Sequence, residues 1–210
     1  MSAVLRCLFI ISMLTICTPP AQAHPHVWVT VQTELVYTPD GSITGIRHHW
    51  TFDDMFSAFA VQGLEGKEKG KFTREELAPI AKDNIESSKE DDYFTYVTAD
   101  GDKQQLADPP PDYWLDYKDD IVTLNFTLPL KQPAKAKDLK IEIYDPSYFI
   151  DFELDKQAPV RLVGAPEQCK LAVELPHEMT YEEGKKLFQD PEALSNWGSH
   201  FANKIMVTCP

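Results

Sequence analysis

Apolar and polar residues alternate along much of the chain after position 26, a pattern typical of half-buried β-strands. From Val27 to Leu35 every second residue is a valine, threonine or leucine, and the residues between them are mostly polar. A turn signal follows at Pro39–Ser42, and apolar positions resume from Ile43 to Phe52. We therefore predict that these two segments pair as a β-hairpin.

The register of this hairpin decides which polar residues can meet. If the turn centres on Asp40, Trp28 faces Phe52 and His26 faces Asp54, within one or two positions. The hairpin would then bring the residues before the first strand beside the acidic residues that follow the second strand.

Helical spacing replaces the alternation where the second segment ends. Apolar residues between 52 and 59 fall on one side of a helix, for which Asp53 or Asp54 is the natural N-cap. A capping box at Thr73–Glu76 opens a second helix. We predict a helical insertion near residues 53–91.

The chain beyond the insertion is mainly β in pattern. Strands are predicted at Tyr93–Val97, Ile121–Leu128, Leu139–Tyr144, Ile150–Leu154, Val160–Val163, Leu171–Leu175 and Ile205–Thr208, with helices at Tyr181–Phe188 and Glu192–Asn203. The prediction is an α+β fold that is mainly antiparallel β and sandwich-like, with a helical insertion and C-terminal helices.

The first residues have the features of an export signal. Arg6 precedes an apolar run from Cys7 to Cys17, and Ala21–Ala23 forms an A-x-A cleavage signal. We predict a signal peptide over 1–23 and a single periplasmic domain over 24–210. The apolar run is too short for a permanent membrane span, and no later segment is apolar enough for one. The alternative is lipidation at Cys17, which would leave His24 without a free amine.

Charge and cysteine content narrow the function classes. The net charge is −13, which makes nucleic acid or an anionic lipid surface a poor partner. Most of the acidic residues, including Glu90–Asp92, are interpreted as solvated surface. The mature chain keeps Cys169 and Cys209, an even count that predicts one disulfide outside the cytosol. Two thiolate metal ligands are the competing interpretation.

The new N-terminus carries the candidate chemistry. Cleavage after Ala23 would give His24 a free α-amine next to its imidazole, and His26 adds a second imidazole. Such nitrogen donors suit Zn, Ni, Co or Cu. We predict a metal site formed by His24 and His26 with an oxygen from Asp53 or Asp54. A frayed terminus without function is the alternative.

The other histidines rank behind this set. His48 and His49 lie roughly 13–20 Å along the strand from the predicted site, at ~3.3 Å per residue. Their side chains point to opposite faces of a strand, so we interpret them as one core and one surface histidine, and as metal ligands only in second place. His177 and His200 are interpreted as surface residues. Signatures of common enzymes, such as a P-loop or H-E-x-x-H, are missing, which favours a carrier over an enzyme.

Four ordered motifs connect the chain to a known group of proteins. They are His24–Val29 (HPHVWV), Trp50–Ser57 (WTFDDMFS), Tyr144–Phe149 (YDPSYF) and Val207–Pro210 (VTCP). Together they resemble a family of bacterial exported proteins of unknown function, labelled a periplasmic component of an uncharacterised ABC-type transport system. Members are often encoded near nickel/cobalt-type permeases. The resemblance implies an inner-membrane metal transporter as partner.

Two functions from different classes remain at this point. The first is a periplasmic accessory protein that binds a divalent transition metal for the transporter. The second is a copper enzyme or chaperone with a histidine brace, in which the amine and imidazole of His24 hold the copper. The usual chelate of an N-terminal x-x-His peptide is excluded, because Pro25 has no amide hydrogen to lose.

Overall fold

The computed structural model describes residues 25–66 and 70–210, with the backbone alone at Glu192. The predicted leader and the predicted ligand His24 lie outside the described residues. In chain order the strands are β1 (Val27–Tyr37), β2 (Ile43–Phe52), β3 (Thr95–Ala99), β4 (Asp102–Lys103), β5 (Asp112–Lys118), β6 (Ile121–Ala134), β7 (Asp138–Ile143), β8 (Ile150–Leu154), β9 (Val160–Val163), β10 (Lys170–Glu174) and β11 (Asn203–Thr208). The helices are α1 (Asp54–Ala60), α2 (Arg74–Ser88), α3 (Tyr181–Leu187) and α4 (Pro191–Ser195), with 3₁₀ segments at Lys89–Phe94 and Trp197–Phe201.

Two sheets enclose one hydrophobic core. The six-stranded sheet has the order β5-β6-β2-β1, with β8 and β9 both pairing along the free edge of β1. The five-stranded sheet has the order β10-β11-β7-β3-β4. Their inner faces supply fully buried residues such as Ile46, Leu124 and Phe126 from the first sheet and Ile141 and Ile205 from the second. The α+β, sandwich-like prediction is confirmed.

The helical insertion begins and ends near the predicted positions. Asp53 caps α1 by accepting a hydrogen bond from the amide of Phe56. Thr73 and Glu76 form the predicted capping box of α2. Apolar residues of α2 are buried in the common core, so this helix closes the sandwich beside β5.

The first hairpin forms with a register one residue from the predicted one. Val29 pairs with Phe52, which places Trp28 opposite Asp53. The prediction allowed a difference of one or two positions, so the observed register agrees with it. The Trp28 amide donates a hydrogen bond to the Asp53 carboxylate. Asp53 therefore lies against the backbone two residues after His26.

The bounds of several elements differ from the predicted ones. Tyr93 and Phe94 do not belong to a strand: with Asp92 they have φ values of 50–54°, the left-handed region, and β3 starts only at Thr95. The edge strand β5 was not predicted, because its polar and aromatic residues do not alternate with aliphatic ones. The predicted helix over 192–203 is divided into α4, a 3₁₀ turn and the start of β11. β8 and β9 pair with β1 in parallel, within a mainly antiparallel fold.

The predicted disulfide joins Cys169 to Cys209 across a sequence separation of 40 residues. It connects the end of β11 to the residue before β10, an edge strand with exposed side chains. Reduction should lower the free energy of unfolding by roughly 4 kcal/mol, because the unfolded chain gains conformational entropy when a loop of this length is no longer closed. Urea unfolding of residues 24–210 with and without reductant measures this effect. No other cysteine is present in that chain, so an unchanged midpoint would contradict the prediction.

Candidate functional site

His26 stands at the surface but is held in place by its backbone. Its amide donates to the carbonyl oxygen of Phe149 at 2.9 Å, and the amide of Val27 donates to the same oxygen at 3.2 Å. The imidazole packs on the Phe149 ring with 4.9 Å between ring centroids. These contacts fix the start of β1 against a segment more than a hundred residues later in the chain. The His26 imidazole is exposed to solvent at this point.

Asp53 is a structural residue at the end of the hairpin. Its Oδ1 accepts from the Phe56 amide and its Oδ2 from the Trp28 amide, both at 2.8 Å. The Asp53 amide in turn donates to the Trp28 carbonyl at 3.0 Å. Both carboxylate oxygens thus hold α1 and β1 together. Asp54 lies in the first turn of α1 with its side chain exposed to solvent, outside the cap.

His26, Asp53 and Asp54 are the members of the predicted metal set that the structure describes. The chain before β1 and the Asp53–Asp54 pair meet at the same end of the hairpin. Within residues 25–66 and 70–210, no group of three or more His, Cys, Asp and Glu side chains could hold a metal ion. His24, the predicted chelating residue, lies outside these ranges, so the predicted set as a whole stays a prediction.

His48 is a core residue that joins the two sheets. It is fully buried, with Nδ1 3.1 Å from Thr33 Oγ1 on β1 and Nε2 3.1 Å from Thr95 Oγ1 on β3. The Thr95 hydroxyl donates its single hydrogen to the Tyr93 carbonyl, so it accepts from Nε2–H of His48. Nδ1 is then the acceptor for Thr33. Burial, with a smaller contribution from the charge of His49, lowers the pKa of His48 to about 3.

His49 lies on the opposite face of β2, as predicted for adjacent strand residues. Its Nδ1 is 2.6 Å from Asn125 Oδ1, and Asn125 donates to Asp116 at 3.1 Å. Asp116 also accepts from Arg74 at 2.8 Å, and the Arg74 guanidinium lies 4.6 Å from the ring centroid of Trp114. This half-buried polar chain fixes the outer face of the sheet near β5. The pairing places His48 opposite Thr33 and His49 opposite Gln32, several residues along β2 from the hairpin end.

A pocket of about 370 Å³ opens between the sheets at the same end of the molecule. We call it the end pocket. Its lining residues are Val27, Trp50, Phe52, Phe56, Asn84, Ser87, Ser88, Asp91, Phe94, Leu124, Asp145, Ser147, Phe149 and Ile150. Three of the four sequence motifs contribute to this lining. Phe149 belongs both to the pocket and to the contact that holds His26.

Asp145 organises the loop on one side of the end pocket. Its Oδ1 accepts from both the amide and the hydroxyl of Ser147 at 2.7 Å, and its Oδ2 accepts from the amide of Ile150 at 2.9 Å. The residue is 4% exposed. Its hydrogen bonds explain why the Asp145–Phe149 segment turns sharply and places Phe149 beside the start of β1.

Asp91 is a pocket residue that sequence reasoning missed. It sits in the acidic run interpreted as solvated surface, yet its side chain is half-buried between α2 and the Asp145 loop. Burial, followed by the charges of Asp145, Glu90 and Asp92, raises the pKa of Asp91 above its ordinary value. The sequence signal for this burial is the aromatic pair Tyr93–Phe94, which begins two residues after Asp91 and is buried in the core.

The sequence matches a known family over nearly its whole length. Residues 9–209 match the family described as protein of unknown function (DUF1007). The chain belongs to this family. An uncharacterized 15.5 kDa protein in the trpE 3′ region of Spirochaeta aurantia is 32% identical over 94 residues, which cover 44% of this chain and 66% of that protein.

A solved structure resembles the chain only loosely. The acetylcholine-binding protein type 1 of Biomphalaria glabrata aligns over 99% of this chain and 98% of its own, with 11% identity and a TM-score of 0.36. That score supports no argument about fold or function. In the described part of the chain, no helix is long and apolar enough to cross a membrane.

Proposed function

We propose that this member of the family is a periplasmic accessory protein that binds a divalent transition metal for an inner-membrane metal transporter. The observation that carries the proposal is the ordered, exposed His26, held by Phe149 at the hairpin end where Asp53 and Asp54 also lie. The predicted leader and the disulfide support export to an oxidising compartment.

The proposed ligands are His24, His26 and one carboxylate. Asp54 is the better carboxylate donor, because both oxygens of Asp53 already accept backbone hydrogen bonds. Two imidazoles, an amine and a carboxylate suit Zn, Ni or Co, whereas a site without the carboxylate would suit Cu. An exposed site of this kind can release its ion to a partner, which a carrier has to do.

Metal titration of the chain that begins at His24 tests this proposal. We expect Zn, Ni or Co binding in the micromolar to nanomolar range, on the order of −8 to −12 kcal/mol. One extra alanine before His24 should weaken binding at least tenfold, because it moves the amine away from the imidazole. His26→Ala should do the same, whereas His200→Ala, an exposed histidine elsewhere, should leave the affinity unchanged.

The carboxylate distinguishes the two metal hypotheses. In the accessory hypothesis Asp54→Asn weakens zinc binding and binding falls as the pH drops, since the imidazoles protonate. A type-2 Cu(II) spectrum that depends on the free amine but not on Asp54 would instead favour the histidine brace. Equal affinities for the native chain, the extended chain and His26→Ala would overturn the metal proposal itself.

A further inference from the structure

Strand β10 is an open edge of the five-stranded sheet. It pairs with β11 on one side, and in the described part of the chain its backbone makes no hydrogen bond on the other side. All five of its residues are exposed. The disulfide at Cys169 ties the start of β10 to the end of β11, which holds the strand in place. Such an edge offers its amide and carbonyl groups to a further strand.

Two apolar side chains of β10 are left uncovered on the core side of the sheet. Leu171 lies opposite Val207 of β11, which is buried. Val173 lies opposite Ile205, which is also buried. Leu171 itself is 39% exposed and Val173 is 37% exposed. The hydrophobic core therefore ends at β10, where one more strand would cover both side chains.

The sequence of β10 is complementary to a second copy of itself. In an antiparallel pair centred on Ala172, Lys170 of each copy faces Glu174 of the other. On the opposite face of the sheet, Leu171 of each copy faces Val173 of the other. Opposite charges and apolar side chains that face each other across two strands stabilise the pairing. Both faces of β10 thus favour a second copy as the added strand.

The added strand would also continue a row of alternating charge across the sheet. Glu174 lies opposite Lys204 of β11, whose ammonium group donates to it at 2.9 Å. Lys204 in turn lies opposite Glu142 of β7. Lys170 of the second copy would take the next place in this row, beside Glu174. Each carboxylate in the row would then have a lysine as its neighbour.

The other edge strands are protected against such pairing. β4 has two residues and β9 has four, and β5 packs against α2, where Arg74 and Asp116 form an ion pair at 2.8 Å. Two antiparallel copies of β8 centred on Phe152 would bring Asp151 of one copy against Glu153 of the other. Like charges in this position oppose pairing. Among the described edge strands, β10 combines an open edge of five residues with complementary charges.

We propose that two copies of this chain associate through β10, in an antiparallel two-fold pairing that joins their five-stranded sheets into one continuous sheet. A contact of this kind is isologous, because the same strand serves both copies. The strands are short and the interface is small, so the dimer is of the transient class, with a dissociation constant on the order of 100 µM or below. The association does not depend on a metal at His24 and His26.

Analytical ultracentrifugation of the oxidised chain over residues 24–210 tests the proposal. At an ionic strength of about 0.15 M the Debye length is about 8 Å, so the repulsion between two acidic chains is screened while contacts across the strand pair remain. We expect a concentration-dependent equilibrium between monomer and dimer. A protein that stays monomeric at about ten times the expected dissociation constant would overturn the proposal and leave β10 open to a strand of another protein.

Charge reversal locates the contact. Lys170→Glu and Glu174→Lys should each weaken the dimer by about tenfold or more, because each turns both attractive pairs of the two-fold contact into like-charge pairs. Glu174→Lys makes the chain less acidic, so overall repulsion between the chains would predict the opposite result. Lys118→Glu, at an exposed position on β5 of the other sheet, makes the same charge change as Lys170→Glu and should leave the dissociation constant unchanged.

A mixture of the two variants decides the register. In a mixed dimer of Lys170→Glu and Glu174→Lys, the introduced glutamate faces the introduced lysine, and the native Lys170 and Glu174 face each other. The mixture should therefore associate about tenfold more tightly than either variant alone. Such recovery also shows that β10 still forms when Glu174 no longer contacts Lys204. Equal association of the native protein and both variants, a loss in Lys118→Glu as large as in Lys170→Glu, or a mixture no tighter than its components would each overturn the proposal.

Discussion

Replacement of His48 by alanine should lower the free energy of unfolding by roughly 3–5 kcal/mol. The imidazole is fully buried and joins Thr33 on one sheet to Thr95 on the other, so its loss leaves a cavity and two hydroxyls with one partner fewer. Urea unfolding at neutral pH measures the change. His200→Ala, at an exposed position, should change stability by less than about 0.5 kcal/mol.

The same histidine should make the protein sensitive to mild acid. Its pKa is lowered to about 3 by burial, whereas in the unfolded chain it returns to about 6.5. Between these values the unfolded state binds the additional proton, so stability is complete above about pH 6.5 and falls as the pH drops. The expected loss from His48 is about 2 kcal/mol between pH 6.5 and 4.5.

A glutamine at position 48 isolates this contribution. His48→Gln keeps a hydrogen-bonding side chain but cannot take up the proton, so its stability should depend less on pH over that interval. The difference between the two slopes should approach one proton. Parallel pH profiles for the native protein and His48→Gln would contradict the assignment of His48 as a neutral core residue.

Local patterns were enough to predict most of the fold. The first hairpin depends on a turn signal and strict alternation, and both α1 and α2 begin at side-chain caps that can be read from a few residues. The disulfide followed from an even cysteine count. The errors fall where distant contacts override local preference. Tyr93 and Phe94 have strand-forming side chains, yet packing of both into the core forces a left-handed turn.

The end pocket could not be predicted, because its members come from separate parts of the fold. Trp50 lies on β2, Asp91 follows α2, and Asp145 follows β7 in the other sheet. Nothing in the spacing of these residues indicates that they share a cavity. The hairpin end was predictable because a single turn determines which residues of β1 and β2 face each other there. Even there, the sequence did not show which of the two aspartates caps α1. Asp53 accepts hydrogen bonds from the amides of Phe56 and Trp28, whereas Asp54 is exposed.

Gly198 shows how a distant residue supports this end of the molecule. It is buried in the 3₁₀ segment Trp197–Phe201. This segment packs on the Asp145 loop, because the amide of Gly198 donates to the Pro146 carbonyl at 3.0 Å. A Cβ atom at this position would lie 1.8 Å from the carbonyl oxygen of Asp145. The obstacle is backbone, so no side-chain rotation relieves it, and either the 3₁₀ segment or the loop must move.

Gly198→Ala should therefore lower the free energy of unfolding by about 3 kcal/mol or more and loosen the Asp145 loop. Amide exchange should accelerate at Ser147 and Ile150, which donate to Asp145, and at His26, which donates to Phe149. Gly184→Ala is the matched control: it lies within α3, and its nearest neighbour would be Met179 Sδ at 3.5 Å. Alanine should stabilise that helix by roughly 0.5–1 kcal/mol. Exchange that stays slow at all three amides in Gly198→Ala would show that the loop is held by Asp145 alone, without support from the 3₁₀ segment.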